Sequence, residues 1–371
     1  MGFARRAGVI RAAFAVAAAV GVAQPALAQA DRSSAAFWKA VQANCNTAAA
    51  KPPSELARRI AQTAIDEFHL FGGHRIDANG HLFRFGLTEA EHNEDDGGGR
   101  QPTFGQLGWW RVMKYWRTLF GDDSTTDKLE VRGYRDASTV TQETRQAELL
   151  STSAAQLLRL ADAVPDPTER EVLREAALRG AIVDTPWSAA FVSYVVRQAG
   201  VAPTAFRFAN AHRVYIYEAF AASAAELTNE AGERLYRACP LATTRPRAGD
   251  IICEQREPIL ADLTDAAVRE RIRTELNGPP EARSVRRTHC EVVAHIDAGP
   301  RKLYSIGGNV NQAVTARKLN LRRGLKFAAS QKGSCDSLDR WTLPQPAADT
   351  AQTRRKCSLN DKKWFVLLQL R

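Results

Sequence analysis

The chain has 371 residues, of which 44% are hydrophobic and 25% charged, with 24 glycines and 16 prolines. These are the proportions of a globular protein, and they exclude a collagenous, a wholly disordered or a polytopic membrane protein. The length is sufficient for one large domain or two smaller ones with a hydrophobic core. The net charge of +10 would by itself favour a polyanionic partner such as nucleic acid.

The positive charge is concentrated at the two ends of the chain. Residues 1–30 carry three arginines and no acid, residues 301–371 carry fifteen basic residues against four aspartates, and the remainder has a net charge of −4. No helix-turn-helix, zinc-finger or RNA-binding motif is present, so the sequence predicts no nucleic-acid partner. The basic C-terminal end is expected either to contact an anionic surface of the cell envelope or to be an ordinary solvated surface.

The first thirty residues have the organisation of a secretory signal peptide. Three arginines precede an apolar run over 12–22, and small residues then provide a cleavage pattern ending near Ala28 or Ala30. The apolar run is shorter than a typical membrane span, and no later stretch reaches 18 apolar residues. The sequence therefore predicts a periplasmic or secreted protein whose mature chain has no transmembrane span, with an uncleaved N-terminal anchor as the alternative.

Export permits disulfides among the six cysteines, which all follow the predicted cleavage site. Sequence alone does not determine their pairing. Cys335 and Cys357 form the pair expected on local grounds, because they bracket a segment with little apolar content of its own. No cysteine or histidine spacing is typical of a zinc site, so no structural metal is expected.

Several secondary-structure elements can be predicted outside the segment that carries chemistry. The apolar pattern predicts a helix over 54–70 with Ser54 as its N-cap, an aromatic helix over about 107–119 and two helical stretches within 146–180. A β-like run covers 364–370. Four histidines lie in or near the loops after the first helix, but their spacing matches no metal-ligand motif: His69, His74, His81 and His92.

The segment expected to carry chemistry begins with a helix start. Asp184 or Thr185 as N-cap, Pro186 as the first helical residue and an apolar pattern ending at Gly200 predict this helix. Ser188 then falls in the first turn, where free N–H groups and the helix dipole stabilise a developing anion. A nucleophile is the functional interpretation of Ser188, and an ordinary helix-start serine is the alternative.

Two strands follow further along the chain. Residues 288–296 alternate, which directs Cys290 to the core and His289 to the opposite face, on a groove or solvent. Because neighbouring strand residues point in opposite directions, a Cys290–His289 dyad is disfavoured, and Cys290 is expected to be a buried thiol or half of a disulfide. The next strand runs into a glycine pair that would present Asn309. Asn309 could instead be a residue that tolerates a left-handed turn.

Five motifs in this order resemble the bacterial domain-of-unknown-function family 2272, which is in turn similar to the NlpC-type and CHAP peptidoglycan hydrolases. They are PWSAAFVSYVVRQAG, HRVY, RAGDIICEQR, HCEVVAH and IGGNV. The resemblance covers about 54–326 and includes GLTEAE at 86–91. It implies an α+β fold with a papain-like core and an N-terminal helical elaboration.

The resemblance also implies roles for individual residues. Ser188 matches the position of the catalytic cysteine in those hydrolases, His289 matches the base, and Asn309 matches the polar residue that orients the base. A thiol at a helix N-terminus ionises near neutral pH, whereas a serine hydroxyl needs His289 as a true general base. A Ser/His/Asn site is chemically possible, and it is equally what an inactivated relative would contain.

Three further residues are candidates for contacting substrate. Trp187 precedes the nucleophile, and His212 and Tyr215 lie one turn apart on a predicted helix, so all three could line the groove. Ordinary core or packed polar residues are the alternative for each of them.

The predicted organisation divides the chain into four parts. These are a signal peptide over 1–30, a helical N-terminal section over 31–183, a papain-like hydrolase core over 184–330, and a basic, cysteine-containing C-terminal extension over 331–371. The expected function is hydrolysis of an amide or peptide bond of the cell envelope, in peptidoglycan, without a cofactor. The alternatives are an inactive protein that binds peptidoglycan or another envelope polymer, and a thiol enzyme that uses Cys253 or Cys290.

Overall fold

The structure is a computed structural model that describes residues 34–90, 107–134, 149–228, 230–328, 330–331 and 358–371. Within these ranges the chain is a mixed α+β protein, as the sequence predicts. Among them, no helix combines the length and the apolar character of a membrane span. The predicted signal peptide, His92, Cys335 and Cys357 lie outside the described residues.

The described ranges contain nine α-helices. In chain order they are α1 (Ala35–Ala49), α2 (Glu55–Leu70), α3 (Gly108–Phe120), α4 (Asp122–Lys128), α5 (Ala154–Asp162), α6 (Pro167–Asp184), α7 (Ser188–Gln198), α8 (His212–Glu226) and α9 (Asp265–Thr274). The predicted cap of α2 is confirmed, because the Ser54 side chain accepts the N–H of Ala57.

The predicted start of α7 is wrong by two to three residues. The helix begins at Ser188 with Trp187 as its N-cap, and α6 continues as far as Asp184. The polar side chains expected to cap α7 are used elsewhere. Asp184 accepts the N–H of Arg132 at 2.7 Å, and the Thr185 hydroxyl accepts the N–H of Glu130 at 2.9 Å.

The strands form one large sheet and one separate hairpin. They are β1 (His74–Ile76), β2 (Leu82–Arg84), β3 (Glu130–Tyr134), β4 (Leu149–Ser153), β5 (Tyr236–Pro240), β6 (Ile251–Gln255), β7 (Thr288–Asp297), β8 (Lys302–Val310), β9 (Ala313–Arg322), β10 (Lys326–Phe327) and β11 (Trp364–Leu370). The large sheet has the order β2-β1-β9-β8-β7-β6-β11-β5, with β10 beside β9, and β3 pairs only with β4. The β1–β9 pair is parallel and all other pairs are antiparallel.

The β-like run near the end of the chain is confirmed as a strand. All seven residues of β11 are buried, and the strand lies between β6 and β5. Leu367, for example, is paired with Ile252 on one side and with Cys239 on the other. The sheet therefore contains strands from all three predicted segments of the mature chain, because β1 comes from the N-terminal section and β11 from the C-terminal extension.

Two buried disulfides join elements of the fold. Cys45 of α1 is bonded to Cys239 of β5, and Cys253 of β6 is bonded to Cys290 of β7. The prediction that Cys290 is buried is confirmed, and of its two expected states, a thiol or half of a disulfide, the structure shows the disulfide. Because Cys253 and Cys290 are bonded to each other, neither is available as a thiol nucleophile, and the thiol-enzyme alternative is wrong on this point.

Gly249, in the turn before β6, allows that turn to lie in direct contact with α2. Gly249 has a φ of +86°, and a Cβ at this position would lie 2.5 Å from the carbonyl oxygen of Ala57. Both the backbone conformation and the lack of space exclude a side chain. The turn that leads into β6 can therefore pack directly against α2, because Gly249 has no side chain.

We expect Gly249→Ala to lower the free energy of unfolding by roughly 3 kcal/mol, through left-handed backbone strain and overpacking together. Gly121→Ala is the matched control, because Gly121 has a φ of +80° but a Cβ there would meet nothing within 4 Å. The control should lose only about 1 kcal/mol. Urea unfolding of the two variants measures the difference, and equal losses would contradict the role of close packing at Gly249.

Candidate functional site

Ser188 is the first residue of α7 and is partly exposed, whereas the eight residues that follow it are buried. No side chain caps this helix. The first N–H groups of a helix have no intrahelical acceptor, so those at the start of α7 are oriented to receive an anion. The prediction that Ser188 lies in the first turn of a helix is confirmed.

The direct partner of Ser188 is His212, the first residue of α8. Ser188 Oγ lies 2.7 Å from His212 Nε2, and His212 Nδ1 lies 2.7 Å from the Tyr215 hydroxyl oxygen. The Tyr215 hydroxyl donates to the carbonyl oxygen of Ala189 at 3.4 Å. In the tautomer that leaves the Tyr215 proton on this carbonyl, the Tyr215 oxygen accepts Nδ1–H, and Nε2 is the acceptor for the Ser188 proton.

His212 is neutral at physiological pH. Its side chain is buried, and burial lowers its pKa well below 6.5, with further lowering by the neighbouring His289 and Arg256. No carboxylate among the described residues offsets these effects at His212. A neutral imidazole with an open Nε2 lone pair, in contact with a hydroxyl, is the arrangement that general-base catalysis requires.

His289 lies beside His212 but does not contact Ser188 through a hydrogen bond. The two imidazole centroids are 5.2 Å apart, and neither ring nitrogen of His289 has a hydrogen-bond partner within the described part of the chain. Its Nε2 is 3.3 Å from Glu291 Oε1, which is within ion-pair distance but not in hydrogen-bond geometry. The structure thus joins Ser188 to His212, whereas the sequence assigned the base to His289.

The expectation that the His289 face of β7 borders a groove or solvent is wrong for its first three residues. His289, Glu291 and Val293 are all at least 99% buried. Glu291 contacts Arg317 on β9 and Ser305 on β8, and His289 lies beside His212, so this part of the face is a buried polar layer. Burial lowers the pKa of His289, and Glu291 only partly offsets this.

Glu291 is the buried carboxylate of this layer. It accepts Arg317 Nε–H at 2.7 Å and the Ser305 hydroxyl at 2.6 Å. Burial alone would raise its pKa, but Arg317, His289 and Ser305 together lower it to about 2. Glu291 is therefore ionised at neutral pH, and it would stabilise a proton on His289 electrostatically.

Asn309 does not orient either histidine in this structure. It has a φ of +53°, and no hydrogen bond of its side chain connects it to Ser188, His212 or His289 across the described ranges. The glycine pair before it lies inside β8 instead of forming a turn. A Cβ on Gly308 would lie 2.4 Å from Phe191 Cβ, so the glycine allows β8 to approach α7 closely.

Comparison with protein families gives one match. A family model described as an uncharacterized protein conserved in bacteria, DUF2272, matches residues 104–370. The chain belongs to this family. No curated protein and no solved structure matches it.

The family match includes Ser188, His212, His289 and β11, but it begins after Glu89. It confirms the resemblance to the bacterial family, whose description states no activity. Function must therefore be argued from the site itself.

The three predicted substrate contacts are all buried. Trp187 is fully buried, its ring packs against Phe71 and Tyr115, and its indole Nε1–H donates to Glu89 at 3.2 Å. His212 and Tyr215 are at most 4% exposed and make the contacts described above. Among Trp187, Ser188, His212 and Tyr215, Ser188 is the residue that is partly exposed to solvent.

No group of three potential metal ligands is found among the described residues. In the loop after α2, His81 Nδ1 is 3.8 Å from an Asp77 oxygen, while the His74 side chain is buried.

Sequence reasoning missed the buried contacts that Glu291 and Glu89 make near Ser188 and His212. The sequence did indicate that Glu291 lies on the same face of β7 as His289, since residues two apart on a strand share a face. Nothing in the local sequence indicates that Glu89 contacts Trp187, because 98 residues separate them.

Proposed function

We propose that this chain is an exported hydrolase that cleaves an amide or peptide bond of the cell envelope, with peptidoglycan as its substrate polymer and Ser188 as its nucleophile. The observation that carries the proposal is the 2.7 Å contact between Ser188 Oγ and His212 Nε2. A nucleophile bonded to a base, and a base held by a third group, is the general signature of this chemistry.

The site supports a two-step mechanism. His212 Nε2 takes the Ser188 proton as Oγ attacks the substrate carbonyl carbon, and the N–H groups at the start of α7 stabilise the oxyanion. The C–N bond then breaks, and His212 Nε2 returns the proton to the leaving nitrogen. A water molecule then attacks the acyl carbon while His212 Nε2 takes its proton, the C–Oγ bond breaks, and His212 Nε2 returns the proton to Ser188 Oγ as the carboxylic acid leaves.

The proposal changes two of the roles implied by the family resemblance. His212 replaces His289 as the base in contact with Ser188, and Tyr215 replaces Asn309 as the residue that orients the base. His289 and Glu291 form a histidine–carboxylate pair next to His212. The papain-like topology and the similarity to NlpC-type and CHAP hydrolases remain part of the proposal.

An envelope substrate is supported by the predicted compartment. The two disulfides fit an extracellular, oxidising location, and the sequence predicts a signal peptide. Peptidoglycan is an abundant amide-bonded polymer in that compartment. The basic C-terminal end would then contact anionic envelope components.

A second candidate function is binding without catalysis. It is favoured by the burial of both histidines, since only Ser188 is partly exposed. A relative of a thiol hydrolase that carries serine in place of cysteine could retain its groove and bind the polymer.

Two measurements on the purified mature chain distinguish these functions. A fluorophosphonate should label one serine, identified as Ser188 by mass spectrometry, and purified sacculi should release soluble fragments. Ser193→Ala is the matched control on the same helix, because Ser193 is buried and bonds to Ala209. We expect it to be labelled like the wild type.

Ser188→Ala should be neither labelled nor active. If the wild-type chain is not labelled and releases nothing, and Ser188→Ala binds sacculi as tightly as the wild type, the hydrolase proposal is wrong and binding is the function.

A further inference from the structure

A buried carboxyl group lies one contact away from the residue that precedes the nucleophile. Glu89 is 1% exposed, and its Oε2 accepts Trp187 Nε1–H at 3.2 Å. Trp187 is the N-cap residue of α7 and is directly followed by Ser188. The GLTEAE motif that contains Glu89 contributes no residue to the mechanism above.

Glu89 is held in place by its backbone. Its N–H donates to the carbonyl oxygen of Gln312, in the turn between β8 and β9, at 2.8 Å. Arg179 of α6 donates to the carbonyl oxygen of Ala90 at 2.9 Å. Contacts with the β8–β9 turn and with α6 therefore hold in place the segment that carries the Glu89 carboxyl group. This segment gives the Trp187 indole a fixed hydrogen-bond acceptor.

Trp187 connects Glu89 to the first turn of α7. The indole stacks on Phe71 with 5.9 Å between ring centroids, lies 5.8 Å from Tyr115, and would meet a Cβ on Gly308 at 2.8 Å. The carbonyl oxygen of Trp187 accepts the N–H of Phe191 at 3.0 Å, which closes the first turn of the helix. The ring is fixed by packing, and Glu89 is the acceptor of its indole N–H.

The Glu89 carboxyl group has no cationic partner within ion-pair distance in the described part of the chain. Arg179, the nearby cation of α6, faces Glu175 at 3.7 Å and the backbone of Ala90. Burial raises the pKa of Glu89 to about 7, and the hydrogen bonds from Trp187 and from its own backbone offset this only in part. A buried acid without a counter-ion beside a candidate nucleophile is typical of a functional group.

We propose that Glu89 is a positioning residue that acts through the Trp187 indole to hold the first turn of α7, and with it Ser188, against His212. This inference rests on the proposed function of Ser188. It concerns a residue that lies before the region matched by the family model.

The protonation state of Glu89 sets the strength of its hydrogen bond with the Trp187 indole. An ionised carboxylate accepts a stronger hydrogen bond than a neutral carboxyl group. The neighbours of Glu89 on the other elements are the Trp187 indole on α7, the Gln312 carbonyl between β8 and β9, and Arg179 on α6, which donates to the Ala90 carbonyl. The reactivity of Ser188 is therefore expected to rise as pH increases through the titration of Glu89.

The contact itself can be tested by NMR without any substrate. In a chain labelled with ¹⁵N-tryptophan, the Trp187 indole N–H signal, assigned with Trp187→Phe, should shift in one transition near pH 7. Glu89→Gln should abolish this transition. The Trp109 and Trp116 indoles serve as internal controls, because their buried Nε1 atoms have no hydrogen-bond partner among the described residues, and their signals also show whether each variant is folded.

The positioning role is tested by the rate at which a fluorophosphonate labels Ser188. Glu89→Ala and Trp187→Phe should each slow labelling about 10-fold at pH 8, and the double variant should be no slower than either single variant. Glu89→Gln, whose amide oxygen still accepts the indole N–H, should retain labelling with a flatter pH profile. Glu233→Gln, at an exposed glutamate, is the control and should match the wild type.

Each outcome has a distinct meaning. Labelling of Glu89→Ala and Trp187→Phe within twofold of the wild type would overturn the positioning role. A Trp187 signal that does not respond to pH, or a transition that persists in Glu89→Gln, would also overturn it. Failure of the wild-type chain to react at Ser188, with the NMR transition present, would instead show that the proposed function is wrong while the Glu89–Trp187 contact is real.

Discussion

Ser188→Ala is expected to reduce the rate of bond cleavage by about 10⁴-fold or more, which is the scale of loss when a serine nucleophile is removed. The free energy of unfolding should change by less than about 1 kcal/mol, because Ser188 is partly exposed. A large loss of activity with unchanged stability distinguishes a nucleophile from a helix-start residue. The measurement is the rate of fragment release from sacculi, with urea unfolding of both proteins. Retention of more than a tenth of the activity would rule out Ser188 as the nucleophile.

Substitution of the two histidines extends this prediction. His212→Asn should lose about as much activity as Ser188→Ala, since the two residues act as a unit. His289→Asn is the matched control at the neighbouring imidazole and should lose less. If His289→Asn is the more damaging substitution, the base is His289, as the sequence implied.

Glu67→Ala is expected to lower the free energy of unfolding by about 3–5 kcal/mol, the usual cost of removing one member of a buried ion pair. Glu67 of α2 is 4% exposed and accepts Arg111 Nη2–H at 2.6 Å and the hydroxyls of Tyr115 and Tyr194 at 2.6 and 3.2 Å. It therefore joins α2 to α3 and α7. Without it, a buried guanidinium and two buried hydroxyls lose their acceptor.

Glu55→Ala is the control for this prediction. Glu55 belongs to the same helix, but its ion pair with Arg58 is exposed, and such pairs contribute little. We expect the control to change stability by less than about 0.5 kcal/mol. Urea unfolding at pH 7 compares the two variants, and a loss below about 1 kcal/mol for Glu67→Ala would show that the cluster is not a stabilising centre.

Features set by local sequence were predicted correctly. Capping chemistry predicts the Ser54 cap of α2 and the position of Ser188 in the first turn of a helix. The period of apolar residues predicts the burial of Cys290 and the strand at the end of the chain. Each of these depends on residues within a few positions of one another, or on a general property such as alternation.

The candidate site depended on contacts that local patterns do not encode. His212 meets Ser188 because the first residues of α7 and α8 lie side by side, although the two residues are 24 positions apart in the sequence. The burial of His289 could not be predicted, because alternation along β7 gives the face of a residue but not what covers that face. Capping preferences also predicted the wrong first residue for α7, because the side chains of Asp184 and Thr185 accept backbone N–H groups of β3 instead.

The position of β11 has a consequence for the order in which the protein folds. This strand fills the gap between β5 and β6, and more than a hundred residues separate it from β6. The edge strand β5 therefore cannot join the sheet until β11, the last described strand of the chain, has been synthesised, and this pairing is a slow, long-range step. During synthesis, β5 therefore stays unpaired with the rest of the sheet while the more than one hundred residues between β6 and β11 are added.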